Sequence, residues 1–291
     1  MKYLKLMRVQ HYLKNLLIFA ALVCSGEFFN TRKFIADIIG FASFCLISSV
    51  VYIINDIRDC DKDRRHPTKR NRPIANGSVS IRSAWILAIV LFLLSMVMNG
   101  FVLHVVSTAV LLLYLILNIG YSFGLKNIPL LDVAILVAGF IIRVVYGAMI
   151  SDITISNWLY LAVISLSFYF AFGKRRNELQ QSLQSNQKRD RETRAVLKYY
   201  TVGFLDKSMN MCMTLAIAFY SLWSIDAGTA SRYHGKYVIF TVPLVLLIVL
   251  KYSLTIEKGS DGDPVEVLLH DKVLLLLCAI YMVAMAVMLY L

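Results

Sequence analysis

The sequence predicts an all-α polytopic membrane protein with nine transmembrane helices. Of its 291 residues, 58% are hydrophobic and 16% are charged, and the mean hydropathy is +0.66, values that soluble globular domains do not reach. Apolar runs near the length that a helix needs to cross the hydrocarbon, about 17 to 25 residues, recur along the chain. They lie near Tyr12–Phe29, Phe34–Ile54, Ser83–Val102, Val105–Phe123, Leu130–Ile150, Trp158–Phe172, Ser208–Ile225, Tyr237–Leu254 and Val273–Leu291.

The chain contains no low-complexity tract or Gly/Pro/Ser-rich linker, so we expect a single membrane-embedded domain over residues 1–291. The first apolar run lacks a small-residue cleavage pattern, which predicts a retained helix and not a removed signal peptide. The five cysteines are scattered and lie mostly in apolar runs. They are typical of small buried hydrophobic residues and not of disulfides or a zinc site.

The basic residues predict the orientation, because Lys and Arg are retained on the cytoplasmic side of short loops. If the N-terminus is cytoplasmic, the outside segments contain only Arg32, Lys33, Arg232 and Lys236. The net charge of +12 is then concentrated at the cytoplasmic face, where phosphorylated substrates would be attracted. We therefore expect a protein of the cell membrane whose partners are the bilayer and phosphorylated substrates, with no nucleic acid; the oligomeric state stays open.

The N-terminal segment places bases and amides directly before the first apolar run. Lys14 and Asn15 lie one turn into the predicted helix, where they would point towards a substrate phosphate. The alternative is an interfacial anchor in which the basic side chains extend to the membrane surface and Tyr12 joins the aromatic belt.

The second apolar run ends in a cluster of oxygen-bearing side chains, namely Asn55, Asp56, Asp59 and Asp63. Spacings of three and four place them on one helical face, where carboxylates repel one another unless a cation lies among them. Mg²⁺ binds one or two carboxylates together with substrate phosphates. The sequence therefore predicts a Mg²⁺ site in which Asp56 and Asp59 are catalytic; the alternative is a solvated helix end neutralised by Arg58, Arg64 and Arg65.

A basic segment, His66–Pro73, follows at once, and its two prolines predict a constrained turn. Lys provides a point charge and Arg a planar fork that suits phosphate. We expect Lys69, Arg70 and Arg72 to bind a phosphate beside the metal. His66 could join them or make a structural hydrogen bond, and the whole turn could instead bind lipid headgroups.

The acidic motif Asn55-Asp56-x-x-Asp59-x-x-x-Asp63 resembles the first aspartate-rich motif of the UbiA superfamily of intramembrane prenyltransferases. The segment His66–Ala75, which reads HPTKRNRPIA, is similar to the decaprenyl-phosphate phosphoribosyltransferase branch, as is Arg8–Asn15, which reads RVQHYLKN. The resemblance implies a UbiA-like bundle of nine helices with a cytoplasmic active site. It also implies a Mg²⁺-dependent transfer of 5-phosphoribose from phosphoribosyl diphosphate to a polyprenyl phosphate.

Two later segments resemble the same branch, and they imply substrate-binding roles for Tyr121, Lys126, Asp132 and Arg143. Asp132, Gly139 and Arg143 share one helical face. A charge facing lipid so deep in a helix would cost several kcal/mol, so Arg143 should point into the bundle. Its partner could be Asp132 or a bound phosphate, and a purely structural ion pair is the alternative.

Bases also stand after the sixth apolar run, where aromatic prenyltransferases of this superfamily carry a second acidic motif. The segment reads Gly173-Lys174-Arg175. The resemblance implies that Lys174 and Arg175 bind a donor with a phosphate at each end.

Two other functions stay open on the sequence. An aromatic prenyltransferase that uses an isoprenyl diphosphate donor would predict two acidic motifs, and only one is visible. A transporter of a phosphorylated lipid or sugar would suit the many helices and Arg143, but it would not require the clustered aspartates.

Overall fold

A computed structural model describes residues 2–65, 69–102, 104–184, 195–231, 235–257 and 264–290. Every regular element within these ranges is a helix, which confirms the all-α prediction. The α-helices are α1 (Lys2–Met7), α2 (Ala20–Ser25), α3 (Thr31–Arg58), α4 (Cys60–Arg64), α5 (Ile81–Gly100), α6 (Val105–Ser122), α7 (Leu131–Ile150), α8 (Asn157–Gln184), α9 (Val202–Ser224), α10 (Ala227–Ala230), α11 (Val242–Glu257), α12 (Pro264–His270) and α13 (Lys272–Tyr290). Short 3₁₀ helices cover Val9–Phe19, Lys69–Asn71, Leu125–Asn127, Ala195–Tyr199 and Gly235–Thr241.

Six helices among the described residues are long and apolar enough to cross a membrane. They are α3, α5, α6, α7, Lys236–Glu257 and α13. The other three predicted runs also fall on helices, but Val9–Ser25 is shorter, and α8 and α9 carry more polar residues along their length. The structure therefore supports an integral membrane protein, while the count of nine spans stays a prediction.

Polar N-caps fix where two of the long helices begin. The Ser80 hydroxyl accepts a hydrogen bond from the Ser83 amide at 3.1 Å, and the Thr201 hydroxyl accepts one from the Phe204 amide at 3.1 Å. Each cap satisfies an amide that has no partner in the first turn of its helix.

The chain divides into two compact units. The first consists of Met1–Val23, Glu27–Ile128 and Ile142–Thr154. One of its hydrophobic clusters contains Leu6, Ile53, Cys60 and Ile74 and lies beside the acidic motif; another contains Ile18, Phe44, Ile47, Leu111, Tyr114 and Tyr146. Both clusters join the N-terminal segment to α3, so they set the place of that segment.

Close backbone approach joins α7 to the N-terminal 3₁₀ helix within the first unit. A Cβ atom at Gly147 would lie 1.9 Å from the carbonyl oxygen of Ile18. Small residues at such crossings let helices in membranes pack closely.

The second unit consists of Cys24–Gly26, Pro129–Ile141 and Ile155–Leu291. Its largest buried cluster includes Val133, Tyr169, Leu205 and Tyr252. A smaller cluster is built around Trp223, Val238 and Met285. Because the cluster containing Tyr169 joins α7, α8, α9 and α11, it positions the polar end of α8.

We expect Gly147→Ala to destabilise the first unit by about 1–3 kcal/mol, because the added methyl group forces the backbone at Ile18 to move. The measurement is the thermal unfolding midpoint of the purified protein in detergent. Gly100→Ala is the matched control, since a Cβ there meets no atom within 4 Å. Equal midpoints for the two variants would contradict the close approach.

Candidate active site

A positively charged group lies between two buried carboxylates of the acidic motif. Asp56, near the end of α3, is 2% exposed, and Asp63, on α4, is 3% exposed. Arg72 Nη1 donates hydrogen bonds to Asp56 Oδ1 at 3.1 Å and to Asp63 Oδ2 at 2.6 Å. The structure therefore brings together two of the predicted metal ligands and one predicted phosphate ligand.

A second guanidinium reaches the same carboxylate from the N-terminal segment. Arg8 Nη2 donates to Asp56 Oδ1 at 2.6 Å, and the Arg8 guanidinium carbon lies 5.0 Å from the centre of the Tyr52 ring. Arg8 adopts a φ of 53°, a left-handed conformation that is strained for a residue with a side chain. This conformation ends α1 and begins the 3₁₀ helix.

The sequence motifs alone did not assign Arg8 to the site. Arg8 and Asp56 are 48 residues apart, so no local spacing predicts their contact. The available signal was the position of Arg8 at the head of the segment that resembles the phosphoribosyltransferase branch.

Hydrogen bonds hold the N-terminal segment against α3 beside this carboxylate. The Ser49 hydroxyl donates to the Met7 carbonyl at 3.0 Å, and it lies 2.7 Å from the Tyr12 hydroxyl. The His11 ring packs against Tyr52, which also contacts Arg8, and the centres of the His11 and Tyr52 rings are 5.4 Å apart. The Arg8 guanidinium therefore extends from a segment that Ser49 holds on both sides of Arg8.

The other two predicted metal ligands have different partners. Lys126 Nζ donates to Asp59 Oδ2 at 3.4 Å, and both side chains are 24% exposed. The Ser122 hydroxyl donates to Asn55 Oδ1 at 3.1 Å. The structure thus brings Lys126 to the acidic motif from the turn after α6, as a base beside Asp59.

The arrangement of Asp56 and Asp63 nevertheless fits a divalent cation. Within the part of the chain that the structure describes, no three His, Cys, Asp or Glu side chains are grouped closely enough to form a metal cage. Mg²⁺ does not require one, because it takes one or two protein carboxylates and fills its other positions with water and phosphate oxygens. The nitrogen of Arg72 marks the point that two carboxylates share, so this pair fits the ion.

The turn that carries Arg72 is fixed by contacts beneath it. Val79 N and the Ser78 hydroxyl donate to the carbonyl oxygen of Pro73 at 2.9 and 3.0 Å. Arg64 Nε donates to the Ala75 carbonyl at 3.3 Å, while Ile74 is buried. Arg72 is therefore presented from an anchored loop.

The remaining predicted ligands of this turn differ in their setting. Lys69 and Arg70 are exposed. His66 lies outside the described residues.

Arg143 lies deep in the first unit and is 6% exposed. Its Nε donates to Asn15 Oδ1 at 2.7 Å, and its Nη2 donates to the Tyr114 hydroxyl at 3.1 Å. The guanidinium also lies 5.0 Å from the centres of the Phe44 and Tyr114 rings. The structure thus brings together Asn15 and Arg143, two predicted substrate ligands, while Lys14 and Tyr121 are half-buried in the same unit.

The second unit contains a buried network around Asp132. Arg175 Nε donates to Asp132 Oδ2 at 2.5 Å, and both side chains are 0% exposed. Arg175 Nη1 donates to Glu178 Oε2 at 2.6 Å. The Tyr200 hydroxyl donates to Asp132 Oδ1 at 2.6 Å and accepts from the Leu130 amide at 2.7 Å. Asp132 and Arg175, both predicted substrate ligands, therefore form an ion pair with each other.

Burial and the hydrogen bond to the Asp132 carboxylate raise the pKa of Tyr200 to about 12. The phenol therefore stays protonated and keeps donating to Asp132 throughout the neutral range. Further along α8, Arg176 pairs with Asp206, and Lys174, beside Arg175, is half-buried.

Comparisons with known proteins identify the family of the chain. The model of the UbiA prenyltransferase family matches residues 16–270. The chain is 34% identical over 290 residues to the decaprenyl-phosphate phosphoribosyltransferase of Corynebacterium glutamicum, covering 98% of this chain and 86% of that protein. It is 35% identical over 289 residues to the protein of the same name from Mycolicibacterium smegmatis, covering 94% and 88%.

The fold also matches a solved structure. A UbiA homologue from Archaeoglobus fulgidus, described as bound to DMAPP and Mg²⁺, aligns with a TM-score of 0.73 at 20% identity over 99% of each chain. At this identity the likeness concerns the fold alone.

We expect Asp132→Ala to destabilise the protein by about 3 kcal/mol or more, because it leaves the buried Arg175 without one of its two carboxylates. The measurement is the unfolding midpoint in detergent. Asp61→Ala is the control: it removes the exposed pair with Arg64, at 3.1 Å, and should cost at most about 1 kcal/mol.

A double variant separates pairing from packing at the same place. Asp132→Leu combined with Arg175→Met replaces the buried charges by apolar groups, so we expect it to unfold at a higher temperature than Asp132→Ala. If both Asp132→Ala and Asp61→Ala leave the midpoint unchanged, the buried pair has no structural role.

Proposed function

The chain belongs to the UbiA prenyltransferase family, and we propose on that basis that it transfers 5-phosphoribose from 5-phosphoribosyl 1-diphosphate to a polyprenyl phosphate. The observation that carries the proposal is the likeness to proteins named decaprenyl-phosphate phosphoribosyltransferase, which extends over 98% of this chain. In the proposed reaction the bond from ribose C1 to the diphosphate breaks. A bond from C1 to an oxygen of the lipid phosphate forms, and diphosphate leaves.

The acidic motif would hold the metal ion that binds the leaving diphosphate. Asp56 and Asp63 present two carboxylates to one point, with Asp59 and Asn55 nearby along the same motif. Mg²⁺, when bound, would neutralise charge on the departing diphosphate. We propose Mg²⁺ as the natural ion, in keeping with the homologue that is described as bound to Mg²⁺.

The bases of the first unit would bind the phosphates. Arg72 and Arg8 already lie against Asp56, and Lys69 and Arg70 precede Arg72 on the same turn. Arginine donates two parallel hydrogen bonds to phosphate oxygens. These side chains can therefore orient the donor and stabilise the charge that develops on diphosphate.

The acceptor needs positioning and not activation by a base. A phosphate monoester on a lipid is already ionised near neutral pH, because its second pKa is about 6. The carbon under attack takes on oxocarbenium character, as in other glycosyl transfers, so an anionic oxygen placed next to it is sufficient. We propose that Lys126 and the deeper Lys14, Asn15, Tyr121 and Arg143 line the substrate pocket of the first unit.

Lys174 and Arg175 stay proposed ligands of a substrate phosphate. Arg175 donates to both Asp132 and Glu178, so it orders the end of α8 as well. Lys174 is the residue next to that fixed point, which makes it the better candidate for direct contact.

The reaction would take place at the cytoplasmic face of the cell membrane. The carboxylates, Arg72 and Lys126 all lie at or beyond the ends of apolar helices, and the distribution of Lys and Arg favours a cytoplasmic position for those ends. A soluble, highly charged donor could reach this face directly, while the polyprenyl chain of the acceptor stays in the bilayer.

A second candidate function is prenyl transfer from an isoprenyl diphosphate to an aromatic acceptor. It is favoured by the solved homologue, which is described as bound to DMAPP. The polar end of α8 disfavours it, because Arg175 and Arg176 there pair with Asp132 and Asp206, where the rival reaction calls for a second cluster of acids.

The direct test is to incubate the purified protein with Mg²⁺, a polyprenyl phosphate and phosphoribosyl diphosphate labelled in the ribose. We expect the label to enter the lipid extract and diphosphate to be released in equal amount. The control omits the polyprenyl phosphate. Label that stays in the aqueous phase, while an isoprenyl diphosphate alkylates an aromatic acid, would contradict the proposal.

We further expect Asp59→Asn to lower the transfer rate by about a hundredfold or more, because it removes a carboxylate that would help to hold the ion that neutralises the departing diphosphate. Asp61→Asn is the matched control, since the Asp61 side chain is 88% exposed and pairs with Arg64. Unfolding midpoints should be the same for both variants. Near-normal turnover of Asp59→Asn would remove this carboxylate from the catalytic group.

A further inference from the structure

Two guanidinium groups hold the carboxylate oxygens that a metal ion would need. Asp56 Oδ1 accepts from Arg8 Nη2 at 2.6 Å and from Arg72 Nη1 at 3.1 Å, and the latter also holds Asp63 Oδ2 at 2.6 Å. The shared point between Asp56 and Asp63 is thus filled by a positive charge that belongs to the protein.

A guanidinium and a metal ion cannot use this point together. Mg²⁺ binds carboxylate oxygens at about 2.0–2.1 Å. A Mg²⁺ ion on these oxygens would therefore lie very close to Arg72 Nη1, and the two positive charges would repel strongly. A metal that coordinates Asp56 and Asp63 must therefore displace Arg72 Nη1, and it must weaken the bond from Arg8.

The displaced side chains need new acceptors, because a partly buried guanidinium without a partner loses hydrogen bonds that water replaces only in part. Diphosphate supplies them, since it brings several anionic oxygens to the metal and suits the fork of donors on arginine. Both arginines can turn about their side-chain bonds while their backbones stay fixed. Arg72 extends from the anchored turn, and Arg8 extends from the segment held by Ser49.

We propose that Arg8 and Arg72 are exchangeable counter-ions of the site, which pass from carboxylate to diphosphate oxygens as the metal enters. The inference rests on the proposed function. It makes Arg8 a direct ligand of the diphosphate, a role that the acidic and basic motifs alone do not give it. It also requires that the metal load together with diphosphate, because metal alone offers the arginines no replacement for the carboxylates.

The exchange can be tested on the unaltered protein by metal binding. We would titrate Mn²⁺ into the protein in detergent and follow bound Mn²⁺ by electron paramagnetic resonance, with and without inorganic diphosphate. We expect diphosphate to tighten Mn²⁺ binding by about tenfold or more, the worth of one charged hydrogen bond. Equal affinities in the two titrations would overturn the exchange.

The sharper test uses Arg8→Gln, because the exchange predicts that this substitution raises the affinity for Mn²⁺ alone and lowers the affinity for diphosphate. Mn²⁺ alone should bind about tenfold tighter, since one competitor for Asp56 is gone, and diphosphate in the presence of Mn²⁺ should bind more weakly by a similar factor. A merely structural Arg8 would weaken both or neither, and either result would overturn the exchange. Arg82→Gln makes the same change in net charge at an exposed position and should alter neither affinity.

These outcomes separate the exchange from the proposed reaction. If phosphoribosyl transfer occurs but Arg8→Gln leaves Mn²⁺ affinity unchanged, the exchange is wrong and the reaction stands. If the opposite shifts are observed but no ribose reaches the lipid, the exchange is supported and the donor has been misassigned.

Discussion

The bridge from Arg72 to Asp56 and Asp63 is the interaction on which the rest of the first unit depends. Two carboxylates with almost no exposure at the end of an apolar helix can stay charged only beside a cation. Arg72 supplies it, and for that reason the turn that carries Arg72 must lie against the acidic motif. Cys60 and Ile74 share the hydrophobic cluster below. Burial of apolar surface and neutralisation of charge thus favour the same loop position.

The same requirement extends to the N-terminal segment and to the interior. Arg8 adopts a strained backbone conformation and still reaches Asp56, so its contact with the carboxylate and the Tyr52 ring outweighs the strain. Deeper in the unit, Arg143 contacts Asn15, Tyr114 and the face of Phe44. Polar and aromatic partners of this kind stabilise the charge of an arginine within an apolar helix and fix the orientation of its hydrogen-bond donors. A site built in this way concentrates positive charge where the phosphates of the proposed donor would bind.

Hydropathy was sufficient to predict the helical class, because long stretches of apolar residues have few other structures available. The count of nine spans stays a prediction. Six helices among the described residues count as candidate spans, since Val9–Ser25 is shorter and α8 and α9 extend beyond their apolar runs into polar residues. Helical spacing placed Asn55, Asp56, Asp59 and Asp63 on one face. The chain instead leaves α3 at Arg58 and starts α4 at Cys60, so Asp59 turns to Lys126 while Asp63 returns to Asp56 through Arg72. Contacts such as Arg8 with Asp56 and Asp132 with Arg175 join residues more than 40 positions apart, and local patterns carry no information about them.

We propose that metal and diphosphate bind at the carboxylates that Arg72 and Arg8 hold. The most direct measurement is an experimental structure of the protein with Mg²⁺ and diphosphate bound. We expect Asp56 and Asp63 to coordinate Mg²⁺, with the guanidinium groups of Arg72 and Arg8 on phosphate oxygens. Diphosphate bound elsewhere, with Arg72 still bridging the two carboxylates, would contradict it.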